Sequence, residues 1–223
     1  SGLIAFMMRN LIIWPRGFPL SKISNQKELS TTLNKNIKYE FPVVQRLCDG
    51  NPDVDAIYRL INKNINIKFK NNLGFYANNK SFIPFNSQNT IWDKSVFPLM
   101  YLPTYCTMRA TDIWRSYIAN CIMNKLNLKI LFTSPTVFQN RNFHNLFNDF
   151  ELEIPVYNNS EKIIELLETL NLFKSKKYIL KNLFICYQKL VENNFFNKNK
   201  LKLLKMWCSD INKIDNYFLQ LDE

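Results

Sequence analysis

Apolar residues in this chain alternate with polar ones in short runs over the first two thirds and recur at helical spacing in the last third. Leu11–Trp14 reads as a short apolar strand, and Pro15 and Pro19 bar any regular element after it. Residues 22–38 are polar without a clear period and read as loop or irregular helix. Phe41–Leu47 reads as a strand, and Gly-Asn-Pro at 50–52 as a turn. Val54, Ile57, Tyr58 and Ile61 then suggest a helical turn, with Asp53 placed to cap it. Ile65–Lys70 alternates apolar and polar residues as a half-buried strand does. Residues 71–80 read as a turn-rich loop, Ser81–Trp92 as a strand entering a polar turn, and Asp93–Pro103 as a short helix broken by proline.

Met108–Leu126 is the clearest helix. Ile113, Trp114, Tyr117, Ile118, Cys121, Ile122 and Leu126 make a wide apolar stripe, with Thr111 or Asp112 at the N-terminal end. Leu128–Phe132 reads as a strand and Thr133–Tyr157 as a loop with aromatic anchors. From Ser160, placed to N-cap, the pattern changes to three helices at Glu161–Phe173, Lys177–Asn194 and Asn199–Leu221. The chain therefore reads as an α/β region over 1–158, followed by a helical region over 159–223 packed on it.

Composition narrows the function classes. With only four Gly, and neither GxGxxG nor GxxxxGK[ST], the chain lacks a glycine-built phosphate loop. The five cysteines are far apart and form no CxxC, which points to buried thiols rather than a zinc site or a disulfide framework. The formal charge of +11 fits a lysine-rich solvated surface, an anionic small ligand such as a nucleotide diphosphate, or nucleic acid. No RNP, zinc-finger or homeodomain signature supports the last. No apolar run is long enough to span a membrane, and Gly2–Met8 lacks signal-peptide architecture. Free thiols without a targeting segment suggest the cytoplasm.

Candidate chemistry falls in four polar blocks that follow or flank predicted strands: Trp14–Gly17, Asp49–Asp55, Asn86–Asn89 and Met108–Tyr117. Such junctions build ligand crevices in α/β sheets. Asp112 lies between Arg109 and Arg115 at a helix start, where it can serve as a cap or as a general base on a hydroxyl. Trp114 is either core or a sugar platform. Asn86 and Asn89 either satisfy a turn or grip hydroxyls, since an amide both donates and accepts. His144, the single histidine, lies beside Arg141 with Asp149 close in sequence, open to a structural, metal or phosphate role. Asp53-Val-Asp55 has the spacing of a metal-binding acidic pair, but it reads first as shaping a pocket or capping the following turn.

The blocks WPRGFPL, GNPDVDAIYRL, PFNSQNTIW, YLP, MRATDIWRSYIA and FQNRNFHNLFNDF, with KMWCSDI near the C-terminus, resemble in order and spacing the STELLO-like family (domain of unknown function 288). The likeness covers nearly the whole chain. A looser one links it to the reversibly glycosylated polypeptides, the UDP-arabinopyranose mutases, through Arg16–Pro19, Pro52–Ala56, and Asp112 with Trp114. Their second acidic pair stands here as Thr111-Asp112, so its first acid is missing.

The resemblance implies a GT-A-like fold, a mixed sheet with flanking helices, and transfer of a sugar from a nucleoside-diphosphate sugar to a glycan or protein hydroxyl. It implies Asp112 as the catalytic carboxylate and Arg16 and Arg109 on phosphate or sugar. Asn86, Asn89 and Trp114 would meet the acceptor or sugar, Asp53 and Asp55 the acceptor pocket, and His144 the diphosphate or a metal. A divalent cation, Mn²⁺ or Mg²⁺, would neutralise the leaving diphosphate. Only 52 residues precede Asp53, without βαβ alternation, and the chain starts Ser-Gly rather than Met. It is therefore expected to be the C-terminal, acceptor-side portion of a longer enzyme whose metal ligands lie upstream. Plant members of the resembled family are Golgi membrane proteins, so an N-terminal anchor in the intact protein would make it Golgi-associated. A non-catalytic binding module derived from such an enzyme is the alternative, and a basic nucleic-acid-binding domain the third.

Overall fold

The computed structural model describes residues 6–8, 11–23, 39–62, 65–69, 74–76 and 82–221. Six strands are assigned among these residues. Strands β1 (Phe6–Met8) and β2 (Leu11–Ile13) form an antiparallel ribbon. A four-stranded mixed sheet contains β3 (Val43–Gly50), β4 (Gly74–Tyr76), β5 (Thr90–Trp92) and β6 (Ile130–Gln139), in the order β4-β6-β3-β5. The central pair, β3 and β6, is parallel, and both edge strands run antiparallel to their neighbours. Five helices flank the sheet: α1 (Ala56–Ile61), α2 (Thr111–Lys125), α3 (Leu146–Glu168), α4 (Ile179–Glu192) and α5 (Lys200–Leu221). The result is the expected GT-A-like α/β architecture with C-terminal helices.

Helix α2 organises the core. Every residue from Ile113 to Met123 is buried, because α3, α4 and the segment Lys94–Met100 pack against it and its core is shared with Val43, Ile130 and Phe132 of the sheet. Its polar members are satisfied inside: Asn120 Nδ2 donates to the carbonyls of Ile83 (2.9 Å) and Ser116 (2.8 Å). Tyr117 Oη donates to the Gly17 carbonyl and also lies 2.7 Å from Ser160 Oγ, tying α2 to the Pro15–Pro19 segment and to α3. The same core continues through Ile163, Leu167, Leu183 and Leu204, so the C-terminal helices share it with the sheet. Smaller, and separate, is a cluster of Ile13, Leu47, Val54, Tyr58, Ile67 and Phe69.

The strands at Leu11 and Phe41, α1, α2, α4 and α5 form where the pattern places them. A 3₁₀ helix at Lys94–Met100, containing Pro98, occupies the predicted proline-broken helix. Other expectations need correction. Residues 133–157 are loop only over 140–145, since β6 runs to Gln139 and α3 begins at Leu146. Prolines hid both elements. Pro135 coincides with a register irregularity of β6 against β3 between Arg46 and Cys48, as expected of a residue that cannot donate to the ladder. Pro155 sits inside α3, whose true cap is Asn145, accepting from the backbone N–H groups of Phe147 (3.0 Å) and Asn148 (3.3 Å). Ser160 is therefore buried mid-helix, and α3 carries the chain straight across position 158.

Ile65–Lys70 is not a strand over its described residues. Its alternation is real, with Ile67 and Phe69 buried and Lys68 exposed, but its backbone pairing with β3 is an isolated bridge between Gly50 and Ile67, beside which Phe69 N donates to Asp49 Oδ1 at 2.9 Å. The loop expected at 71–80 contains β4, while most of 22–38 lies outside the described residues. The cap of α1 is Asp55 rather than Asp53. The five cysteines are free, three of them buried. Among the described residues no helix is long and apolar enough to cross a membrane.

Candidate functional site

The turn after β2, the segment after β3 and the start of α2 converge on one buried cluster of charges. Arg16 is at its centre. Its Nη2 lies 2.8 Å from Asp53 Oδ2 and 3.0 Å from Asp112 Oδ2, its Nε donates to both oxygens of Asp53, and its Nη1 donates to the Arg109 carbonyl. Burial opposes the charge on Arg16, but Asp53 and Asp112 outweigh it and raise its pKa. Burial likewise opposes ionisation of Asp53, yet Arg16, then Arg109 and Arg59, hold its pKa below the ordinary carboxylate value. The sequence brings these groups together because Gly17, at φ +86°, lets the turn press against α2. A Cβ at Gly17 would clash with Ile113 Cγ2.

Asp112 has two different oxygens. Oδ2 accepts from Arg16 and from the Ser87 backbone N–H at 3.2 Å, whereas Oδ1 is buried without a partner among the described residues. Ser87 belongs to the Asn86–Asn89 turn. There Asn86 Oδ1 accepts from Gln88 N at 3.0 Å, and Asn89 Nδ2 donates to the Leu47 carbonyl (3.2 Å) and Thr136 Oγ1 (3.1 Å). Arg115 donates to Ser87 Oγ at 3.1 Å and stacks over Trp92 with 4.9 Å from its Cζ to the ring centroid. Trp114 points the other way, into the core, its ring centroid 5.2 Å from that of Phe196.

A second acidic group adjoins the first. Glu153 of α3 is 0% exposed and accepts from Arg109 (Nε at 2.8 Å, and Nη2), from the Ala56 backbone N–H at 2.8 Å, and from Tyr157 Oη. Asp55 accepts from Tyr58 N at 2.7 Å and from Trp14 Nε1 at 2.6 Å. Burial, with a further push from Glu153, raises the Asp55 pKa to about 6, against the pull of those hydrogen bonds. An acid that is a weaker acid when folded binds more protons folded than unfolded between 3.8 and about 6. Its contribution to stability therefore falls as pH rises through that interval. Asp55→Asn is expected to flatten the decline, as read from urea midpoints across the interval. Asp53, shifted downward, acts in the opposite sense, adding stability that is lost only as pH falls below 3.8.

His144 lies apart from Asp112, at the end of the loop after β6. Its Nδ1 is 3.7 Å from Asp149 Oδ2, an oxygen that accepts from Arg141 Nη2 at 2.6 Å. Of the residues expected to serve the site, the structure thus gathers Arg16, Asp53, Arg109 and Asp112, with Asp55 one contact away through Glu153. Asn86 and Asn89 form the turn over Asp112, Trp114 packs in the core, and His144 belongs to a neighbouring cleft. Glu153 went unnoticed in the sequence because its segment reads as loop. Arg59 did too; it donates to Asn51 Oδ1 and, at 2.6 Å, to the Pro52 carbonyl.

The side chains of Asp53 and Asp55 do not fit a cation. Both oxygens of each already accept from protein donors, and the two carboxylates turn to different partners. Among the described residues no group of three or more His, Cys, Asp and Glu side chains could hold a metal.

A mixed sheet whose parallel pair opens towards loops rich in charged residues, backed by helices, is consistent with a GT-A-like α/β fold. The family model for STELLO glycosyltransferases matches residues 109–223, more than half of the chain. Two Arabidopsis thaliana proteins are similar. "Probable glycosyltransferase STELLO1" is 23% identical over 209 residues, covering 89% of this chain and 26% of that protein. "Probable glycosyltransferase STELLO2" is 28% identical over 132 residues, 56% of this chain and 17% of that protein. The chain belongs to the STELLO glycosyltransferase family, and it spans about a quarter or less of the length of these relatives.

Proposed function

We propose that this chain is part of a glycosyltransferase that moves a sugar from a nucleoside-diphosphate sugar to a hydroxyl of a glycan or protein acceptor. The observation that carries the reading is Asp112, which lies within the family match and keeps Oδ1 buried without a partner among the described residues. In this reading Oδ1 accepts the proton of the acceptor hydroxyl as the new glycosidic bond forms. Arg16 and Ser87 N hold Oδ2, so the carboxylate is oriented before substrate arrives. Arg16 and Arg109 position that carboxylate, and the Asn86–Asn89 turn frames the entry of the acceptor.

The family's chemistry is compatible with a divalent cation, Mn²⁺ or Mg²⁺, which would neutralise the leaving diphosphate. Given the engagement of Asp53 and Asp55, its ligands would come from outside that segment. The same engagement favours a second reading, a non-catalytic module that binds a glycan or a partner. A panel of nucleotide sugars offered to the intact protein with Mn²⁺, read as acceptor-dependent release of nucleoside diphosphate, separates the two. Turnover of at least one donor is expected. No turnover of any donor would overturn the transferase reading in favour of the binding module. Binding of RNA or DNA with a steep salt dependence would instead support the basic nucleic-acid reading.

A further inference from the structure

We propose that the cleft at the carboxyl ends of β3 and β6 is an anion site that takes a phosphate-bearing ligand on Arg59 and Arg141, with His144 at its rim. Asn51, Arg59, Arg141, Asn142, Phe143 and His144 line an open cleft of about 650 Å³, within the size range of small-molecule sites. Its position follows from topology. β3 and β6 are the parallel pair and end side by side, Gly50 against Gln139, with Asn51 N donating to the Gln139 carbonyl at 3.1 Å. The segments leaving those two strand ends form the cleft walls, where open α/β sheets bind their ligands. Leu146, the first residue of the 23-residue helix α3, also lines it, so the positive end of that helix faces the same space.

The charges there are short of acceptors. Arg59 is 6% exposed, and Arg59 and Arg141 each keep a buried Nε–H without a hydrogen-bond partner among the described residues. Burial first, then the charges of Arg141 and Arg109, lower the Arg59 pKa to about 10, while Asp53 and Asp149 push it back up. Arg141 is lowered too, by burial and by Arg109, against the pull of Asp149, Asp53 and Glu153. The acids nearest the cleft are already committed: Asp149 to Arg141, Asp53 to Arg16. A phosphate group would supply the missing negative charge, and guanidinium groups are the side chains best matched to it. Phe143, 99% exposed, stands beside the cations as a surface on which a flat ring can stack.

Occupation of this cleft does not require that sugar transfer takes place, so binding is measured without turnover. Isothermal titration with pyrophosphate, uridine diphosphate and a hexose phosphate, at low ionic strength, is the experiment. Pyrophosphate is expected to bind in the millimolar range or tighter. The double substitution Arg141→Gln/Asp149→Asn removes a charge pair in near-isosteric form, and thermal melting checks that the fold persists. It is expected to weaken binding about tenfold or more, which corresponds to about 1.4 kcal/mol. Lys176→Gln/Lys177→Gln, on the exposed surface, is expected to leave it unchanged. Uridine diphosphate binding more tightly than pyrophosphate, with the difference lost in Phe143→Ala, identifies a nucleotide as the source of the phosphate. Equal affinities, or preference for the hexose phosphate, identify a phosphorylated sugar or free phosphate group. No binding of any of the three, or binding lost in the lysine variant and kept in the arginine variant, would overturn the proposal.

Discussion

Asp112→Asn is expected to lower sugar transfer by the intact protein about 100- to 10,000-fold, the range over which a positioned general base contributes. The loss should fall on kcat, with KM for the donor little changed. The substitution tests chemistry rather than folding. The amide oxygen of an asparagine can take the place of Oδ2, accepting from Arg16 and Ser87 N, which leaves the NH₂ where Oδ1 stands. That position then donates instead of accepting, and the acceptor hydroxyl loses its base. Arg16 keeps its paired bonds to Asp53, so the cluster survives. An Asp112→Asn protein with wild-type kcat would remove Asp112 from the mechanism.

The second large effect is on stability. Glu153→Ala is expected to destabilise the fold by about 3–5 kcal/mol, the usual consequence of breaking a buried ion pair from one side. Three donors lose their acceptor at once: Arg109, the Ala56 N–H and Tyr157 Oη. What remains for Arg109 is Asp53 at 4.0 Å. The pieces that come apart are far separated in sequence, since Glu153 belongs to α3, Ala56 opens α1 and Arg109 precedes α2. Glu153→Gln, which keeps two of the acceptor contacts at best, should be milder, about 1–3 kcal/mol. Urea unfolding measures both. A loss under about 1 kcal/mol for Glu153→Ala would mean that the apolar core alone fixes α3 against α1 and α2.

These two residues show how unevenly the site was readable. Asp112 is visible in sequence because it stands at the start of a long apolar-striped helix between two arginines. Glu153 is invisible there, since Pro155 two residues on argues against helix and nothing local marks a carboxylate as buried. Asp53-Val-Asp55 is the instructive middle case. The spacing is that of a metal pair, but spacing says only where side chains could point. In the fold, Asp53 turns to Arg16, 37 residues earlier, and Asp55 caps α1 and takes the Trp14 indole. Arg16 and Trp14 are both distant in sequence, so the competition between a cation and these donors could not be judged from the segment itself.

By itself the sequence determined the class of the protein: an α/β region followed by helices, the helices α1, α2, α4 and α5, free thiols, and membership of a sugar-transferase family. These follow from local periodicity, composition and ordered motifs, which are properties of neighbouring residues. Only the tertiary structure decided the pairing of β3 with β6, the helix running through Pro155, and the partners of each charge. It also joined Arg59 to Arg141 across a cleft, 82 positions apart. The physical reason is common to all of these. Burial and the meeting of distant charges set the energy of a proline, a carboxylate or a guanidinium, and both arise only when the chain is folded.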